Sequence, residues 1–296
     1  MTYSEIWHRI ATSYDDGEAR AIARILIEEL FGLSYADIVC GATEQLSADD
    51  TLRLDTAVRR IEQGEPLQHV LGYADFCGNR FSVNGSVLIP RPETEWLVDE
   101  GAKLMSDGNT PTDIKKPKSK RILDIGTGSG CIAISLKLRL GDAYVEAWDI
   151  SEEALRTAQD NADALKAEVV FRKRDALRAD NTAAPWDLIV SNPPYICDSE
   201  RTAMDDNVLL HEPHTALFVP DDDPLRFYRA IARYALLTLN IGGSLLFECN
   251  IRYAEATGKM LSDMGFEEVT VSDDCFNLPR FVRGSSPSQP SPSGRA

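Results

Sequence analysis

The sequence predicts an α/β protein: an open, mostly parallel sheet with helices on both faces and an antiparallel closing strand, preceded by a small helical domain and a β-hairpin linker. Three observations carry this. Apolar residues recur at helical spacing through about the first 70 positions. From Arg121 to Glu248, short β-rich runs alternate with helical patterns, as in a parallel sheet covered on both faces. A glycine-rich loop, Gly126-Thr127-Gly128-Ser129-Gly130, sits at the first strand-to-helix junction of that stretch, where open α/β sheets bind ligands.

In chain order, Arg20 to Leu30 places Ile22, Ile25, Leu26 and Leu30 on one helical face. Tyr35 to Cys40 and Ser47 to Gln63 continue the pattern, with Ser47 as N-cap of a helix whose Leu52, Leu54, Val58 and Ile61 read as core. Phe76 to Val83, Asn84-Gly85 and Ser86 to Ile89 read as a hairpin turned at Asn-Gly. Pro90 and Pro92 stop it, and Glu93 to Met105 reads as helix. Ser106 to Lys120 is polar and breaker-rich, a surface loop in which the lysines are solvated. Strands follow at Arg121 to Ile125, Val145 to Asp149, Val169 to Arg172, Leu188 to Val190 and Ser244 to Glu248. Helices alternate with them at Cys131 to Leu140, Glu152 to Leu165 and Leu225 to Leu239. Val269 to Val271 and Arg280 to Val282 form a closing pair. The Ser/Pro-rich end reads as disordered from Gly284 onward. The domain boundaries are then 1–72 (helical), 73–105 (hairpin and linker), 106–284 (α/β) and 285–296 (tail).

Composition narrows the function. The 296 residues carry 31 basic and 47 acidic side chains, a net charge of −16, which disfavours broad nucleic-acid binding driven by counterion release. No apolar run is long enough for a membrane span, and Met1 to Arg9 lacks a signal-peptide core. Six scattered cysteines without a C-x-x-C suit reduced thiols and a cytoplasmic location. His211-Glu212-Pro213-His214 is not read as a metal site, because Pro213 breaks the H-x-x-H face and no third ligand is evident. Nothing demands more than a monomer.

Two clusters carry chemistry. The loop spacing is G-x-G-x-G rather than the G-x-G-x-x-G of dinucleotide sites. Asp124 just before it disfavours a pyrophosphate and tolerates a cationic ligand. Asp149 ends the next strand, where a carboxylate accepts from ribose hydroxyls. Asp175 ends the third, placed to accept from an adenine amino group. This constellation resembles the class I S-adenosylmethionine-dependent methyltransferases, with a Rossmann-like domain and S-adenosylmethionine as cofactor. The fourth strand runs into Asn192-Pro193-Pro194-Tyr195. Such a turn is rigid, and the Asn192 oxygen and Pro193 carbonyl can accept the two hydrogens of a planar –NH₂ group, with Tyr195 as a stacking wall. Asn192 is a positioning acceptor there and no general base.

N-P-P-Y serves both adenine N6 and glutamine amide methyltransferases. The remaining text chooses between them. Pro66-Leu67-Gln68-His69-Val70-Leu71-Gly72, Phe76-Cys77-Gly78, and above all Ile89-Pro90-Arg91-Pro92-Glu93-Thr94-Glu95 closely resemble the release-factor glutamine N5-methyltransferases (PrmC/HemK). Glu212-Pro213 and Leu225 to Tyr228 extend the match, which covers residues 10–284. The resemblance implies methylation of the glutamine in the Gly-Gly-Gln motif of class 1 peptide-chain release factors, with the helical domain docking the factor. It implies that Gly126 to Gly130, Asp149, Asp175 and Asn192 hold the cofactor, that Asn192 to Tyr195 hold the glutamine, and that Arg91 and Glu93 shape the pocket. Arg91 also suits an ion pair with Glu93 or Glu95. The chain departs from the family at Cys249 to Tyr253, where a glycine- and glutamine-containing turn is usual, and at Ala176, where a bulkier residue is common. The alternatives are an adenine N6 methyltransferase acting on DNA or RNA, and a non-catalytic protein-binding module that keeps the cofactor fold.

Overall fold

The computed structural model describes residues 1–106, 119–179 and 185–288. The chain forms two compact units, one of residues 1–73, 83–85 and 203–212, the other of the remaining described residues.

The first unit holds α1 (Tyr3–Ile10), α2 (Asp16–Phe31), α3 (Tyr35–Val39), α4 (Ala48–Glu62) and α5 (Leu67–Leu71). Side-chain caps start α1, α2 and α4: Thr2 and Glu5 form a capping box, Asp15 accepts from Gly17 and Glu18, and Ser47 accepts from Asp50. Ile6, Ile10, Ile22, Leu26, Leu54, Val58 and Ile61 make the core. Arg9 ties α1 to α4 through Asp55 at 2.8 Å and Glu62 at 2.7 Å. Leu52, expected in the core, is 66% exposed. At 3.6 residues per turn it lies opposite the stripe of Leu54, Val58 and Ile61.

The hairpin comprises β1 (Tyr73–Phe76) and β2 (Asn79–Ser82), and α6 (Glu95–Ser106) follows a 3₁₀ turn at Pro92–Thr94. Its turn is Cys77-Gly78, not the expected Asn84-Gly85. A two-residue turn matching strand twist needs positive φ at both positions. Cys77 (φ +48°) and Gly78 (φ +74°) supply it, whereas Asn84 and Gly85 do not.

Then come β3 (Arg121–Ile125), α7 (Cys131–Leu140), β4 (Tyr144–Asp149), α8 (Glu152–Leu165), β5 (Val169–Lys173), β6 (Trp186–Ser191) and β7 (Ile196–Cys197). After α9 (Asp206–His211, in the first unit) follow α10 (His214–Leu217), β8 (Phe218–Val219), α11 (Arg226–Thr238), β9 (Leu239–Glu248), α12 (Ala254–Met264), β10 (Glu267–Asp273) and β11 (Pro279–Ser285). The main sheet has the order β10-β11-β9-β6-β3-β4-β5. Five strands are parallel; β11 and β10 close the edge antiparallel. The fold is thus the expected Rossmann-like α/β type. Alternation along the buried strands sorts the core. Ile122, Leu188, Val190 and Leu246 pack with α6 and α7, while Leu123, Ile125, Ile189 and Phe247 pack with α11.

The end of the chain is ordered further than expected. Gly284 and Ser285 pair with Leu245 and Ser244, and Ser286 N–H donates to Gly243 O at 2.7 Å. The backbone groups of β9 are satisfied by this pairing. Residues 289–296, and 107–118 of the expected lysine-rich loop, lie outside the described residues.

Candidate active site

The order of strands reverses at β3, which lies between β4 and β6. Open α/β sheets bind ligands at such a switch point, beyond the carboxyl ends of the strands. The register pairs Asp124 with Val190, so the glycine loop and the Asn-Pro-Pro turn leave the sheet side by side. Ser191 Oγ donates to Ile125 O at 2.6 Å and pins the two exits together.

Between them lies a cavity of about 360 Å³, within the range of small-molecule sites. Its polar wall includes Gly126, Gly128, Asp149, Asp175 and Asn192, with Pro193 and Pro194 alongside. Its apolar wall includes Ile125, Ile150, Ala176, Leu177 and Phe227. Ile150 went unread in the sequence. It is 56% exposed at the mouth of a cavity, where an apolar side chain suits the face of a planar base.

The loop residues divide by role. Gly126 (φ +80°) and Thr127 both donate N–H to Trp148 O. Gly128 (φ +54°) donates to Asp149 Oδ2 at 2.9 Å, and a Cβ placed there meets only open space. Gly130, Thr127 and Ser129, expected to bind cofactor, do not line the cavity. Thr127 Oγ1 donates to Asp124 Oδ2 at 2.6 Å, and Ser129 is buried with its carbonyl accepting from Asn161. At Gly130 the loop is covered by α8, where a Cβ would meet Ala158.

Asp124 is wholly buried beneath the loop and does not face the cavity. Burial, aided by the nearby charge of Asp149, pushes its carboxyl up to about 7. The folded state therefore holds this proton more tightly than the unfolded chain. The stabilisation is present below the ordinary carboxylate range and is lost as pH rises to about 7. Asp124→Asn, which keeps an acceptor for Thr127, is expected to gain thermal stability relative to the parent between about pH 4 and pH 8. A melting difference that stays constant over that range would count against this account.

Asp149 accepts backbone N–H groups on both oxygens, from Gly128 and from Ser151, each at 2.9 Å. Burial raises its pKa, and those two donors oppose the rise. Each oxygen keeps a lone pair for a ligand hydroxyl. Asp149→Ala is expected to weaken S-adenosylmethionine binding by about 10- to 100-fold, the range for hydrogen bonds to a charged group. Unchanged affinity by calorimetry would remove Asp149 from the site. Asp175 caps the turn at Ala176–Arg178 through Leu177 N–H at 2.9 Å and also reaches the cavity.

Behind Asn192 lies a buried polar cluster. Asn192 Nδ2 is 3.4 Å from Thr94 Oγ1, which is 2.7 Å from Glu248 Oε2. Tyr195 donates its hydroxyl to Glu248 Oε1 at 3.2 Å. Tyr195, expected to wall the cavity, is instead outside its lining and anchored on this carboxylate. Burial raises both groups; for Tyr195 the negative charge of Glu248 adds to the rise. Arg91 and Glu93, expected to shape the pocket, do not line the cavity. Their charges act on the cluster: Arg91 opposes the rise at Tyr195, and Glu93 adds to that at Glu248. Glu95 is occupied by Cys77 N–H at 2.6 Å. Asn250, in the divergent stretch 249–253, donates to Tyr195 O at 3.1 Å and Glu200 at 3.0 Å. That stretch thus supports the far end of the Pro-Pro turn.

Comparison with known proteins agrees with this geometry. The model of the PrmC N-terminal domain matches residues 8–72, and that of the methyltransferase small domain matches residues 96–217. A release factor glutamine methyltransferase of Bacteroides thetaiotaomicron is 44% identical over 91% of this chain and 93% of its own length. The chain belongs to the release factor glutamine methyltransferase family. The Flavobacterium psychrophilum protein of that name is 37% identical over 93% of this chain and 94% of its own length. Among solved structures, a methyltransferase from Pyrococcus furiosus shares the fold at TM-score 0.51 and 12% identity, over 81% of this chain and all of its own. The hMettl16 catalytic domain does so at TM-score 0.51 and 17% identity, over 82% and 83%.

As a member of this methyltransferase family, the chain uses S-adenosylmethionine. The cavity fits it. Asp149 and the open face of Gly128 suit a ribose, and Ile150, Ala176 and Leu177 suit an adenine. No helix among the described residues is long and apolar enough to cross a membrane.

Proposed function

We propose that this chain transfers a methyl group from S-adenosylmethionine to N5 of the glutamine in the Gly-Gly-Gln motif of class 1 peptide-chain release factors. The observation that carries the reading is that Asn192, Pro193 and Pro194 wall the same cavity as Gly126, Gly128 and Asp149. Acceptor and donor are thereby held in one small volume. When bound, the cofactor supplies an electrophilic methyl on a sulfonium.

The rest is positional. An amide nitrogen is a poor nucleophile because its lone pair is delocalised. Asn192 Oδ1 and Pro193 O accept its two hydrogens, orient the amide and stabilise the positive charge that grows on nitrogen. The nitrogen then sheds a proton to water, since Asn192 cannot take it. The helical unit serves as the docking surface for the factor. A net charge of −16 suits a protein substrate better than a phosphate backbone. We place the enzyme in the cytoplasm with its substrate, acting as a monomer.

The test is transfer of labelled methyl from S-adenosylmethionine to a purified class 1 release factor. The same factor with the Gly-Gly-Gln glutamine replaced, and duplex DNA, serve as comparisons. Label on the intact factor alone is expected. Label on DNA would favour the adenine N6 reading, and no label on any would favour a binding module.

A further inference from the structure

We propose that Thr94 and Glu248 are positioning residues that select which end of the Asn192 amide faces the substrate; this rests on the acceptor role given to Asn192 above. Glu248 ends β9, and Asn192 follows β6, its parallel neighbour, with Ser191 registered against Phe247. Thr94 comes from the turn before α6. Three segments distant in sequence therefore meet at one hydroxyl.

The selection follows from donor and acceptor counts. Glu248 accepts on both oxygens, from Thr94 Oγ1 at 2.7 Å and from Tyr195 Oη at 3.2 Å. A threonine hydroxyl has one hydrogen, and here Glu248 takes it. Only lone pairs of Thr94 remain for Asn192, whose Nδ2 lies 3.4 Å away. The –NH₂ end can donate to them; the carbonyl end would meet oxygen against oxygen. Asn192 Oδ1 is thus kept for the cavity, the end that a substrate –NH₂ requires. One buried carboxylate secures both ends of the Asn-Pro-Pro-Tyr turn, through Thr94 at one and Tyr195 at the other. Glu248 is 1% exposed, and the positive charge of Arg280, itself paired with Asp274 at 2.7 Å, offsets part of the cost of burying it.

Thr94→Val removes the hydroxyl at constant shape, and Thr94→Ser retains it. Thr94→Val is expected to lower kcat for release-factor methylation by about 10- to 100-fold, as for misplacement of a positioned group. KM and S-adenosylmethionine affinity should stay within about 2-fold, and Thr94→Ser should recover most of the rate. A second readout needs no substrate. The side-chain amide resonance of Asn192, assigned by its loss in Asn192→Ala, should shift and exchange faster with solvent in Thr94→Val but not in Thr94→Ser. Wild-type kcat in Thr94→Val, equal losses in Thr94→Val and Thr94→Ser, or an unmoved Asn192 resonance would each overturn the proposal. If the parent enzyme fails to label the factor, the acceptor reading falls, while the resonance still decides whether Thr94 orients Asn192.

Discussion

Asn192→Ala is expected to lower methyl transfer to the release factor by about 100- to 1000-fold, the loss typical of deleting one preorganised polar contact to a reacting group. S-adenosylmethionine affinity should change only a few-fold, by contrast with Asp149→Ala. The asymmetry follows from the geometry. Asn192 is one wall residue among many for the cofactor, but on the acceptor side only Asn192 and Pro193 are given the task of taking the two amide hydrogens. Removing one leaves the nitrogen free to rotate, and its lone pair leaves the line of attack. Single-turnover transfer of labelled methyl, with calorimetry for the cofactor, separates the two effects. Turnover equal to the parent would remove the Asn-Pro-Pro turn from the acceptor site.

Gly130→Ala is expected to destabilise the α/β unit by about 2–5 kcal/mol, the sum of a left-handed backbone cost and an overpacking cost. Gly130 sits at φ +82°, and a Cβ there would lie 2.9 Å from Ile134 Cδ1 and 3.1 Å from Ala158 Cβ. Neither neighbour can retreat easily, because both are buried where α7 and α8 pack. Gly128→Ala makes the informative comparison. It shares the positive φ, at +54°, but its Cβ meets nothing within 4 Å. It should lose only about 1–2 kcal/mol and weaken cofactor binding instead, because the methyl group projects toward the cavity. Thermal unfolding of both variants, with cofactor titrations, checks this. Equal melting temperatures would mean that α7 and α8 shift apart to make room.

The sequence by itself determined most of the chain's plan. Strand–helix alternation set the parallel sheet, because a strand buried on both faces and an amphipathic helix differ in period. Glycine and aspartate at successive strand ends marked the cavity, because the carboxyl ends of parallel strands all open on one side. Asn192-Pro193-Pro194 marked the wall of the cavity proposed to hold the acceptor, because two prolines after a buried strand make a rigid turn there. Local text also misled. Asn84-Gly85 looked like the hairpin turn, but the positive φ values fell to Cys77-Gly78, between the paired strands β1 and β2.

Only the tertiary structure decided which of the marked residues line the cavity. Thr127, Ser129 and Gly130 belong to the same loop as Gly126 and Gly128, yet they lie outside the cavity lining: Thr127 bonds Asp124, Ser129 is buried, and Ala158 of α8 lies against Gly130. Tyr195 follows Asn192 by three residues, yet it points to Glu248. Thr94 lies in the Ile89 to Glu95 stretch that carries the family resemblance, but nothing in the sequence links it or Glu248 to Asn192. They lie 98 residues before and 56 residues after Asn192, and neither position forms a local pattern with it. Their role arises from strand order, since β9 lies beside β6 and brings a buried carboxylate to the back of the acceptor turn. A hydrogen-bond chain of this kind depends on which strand ends become neighbours, and that is a property of the assembled sheet.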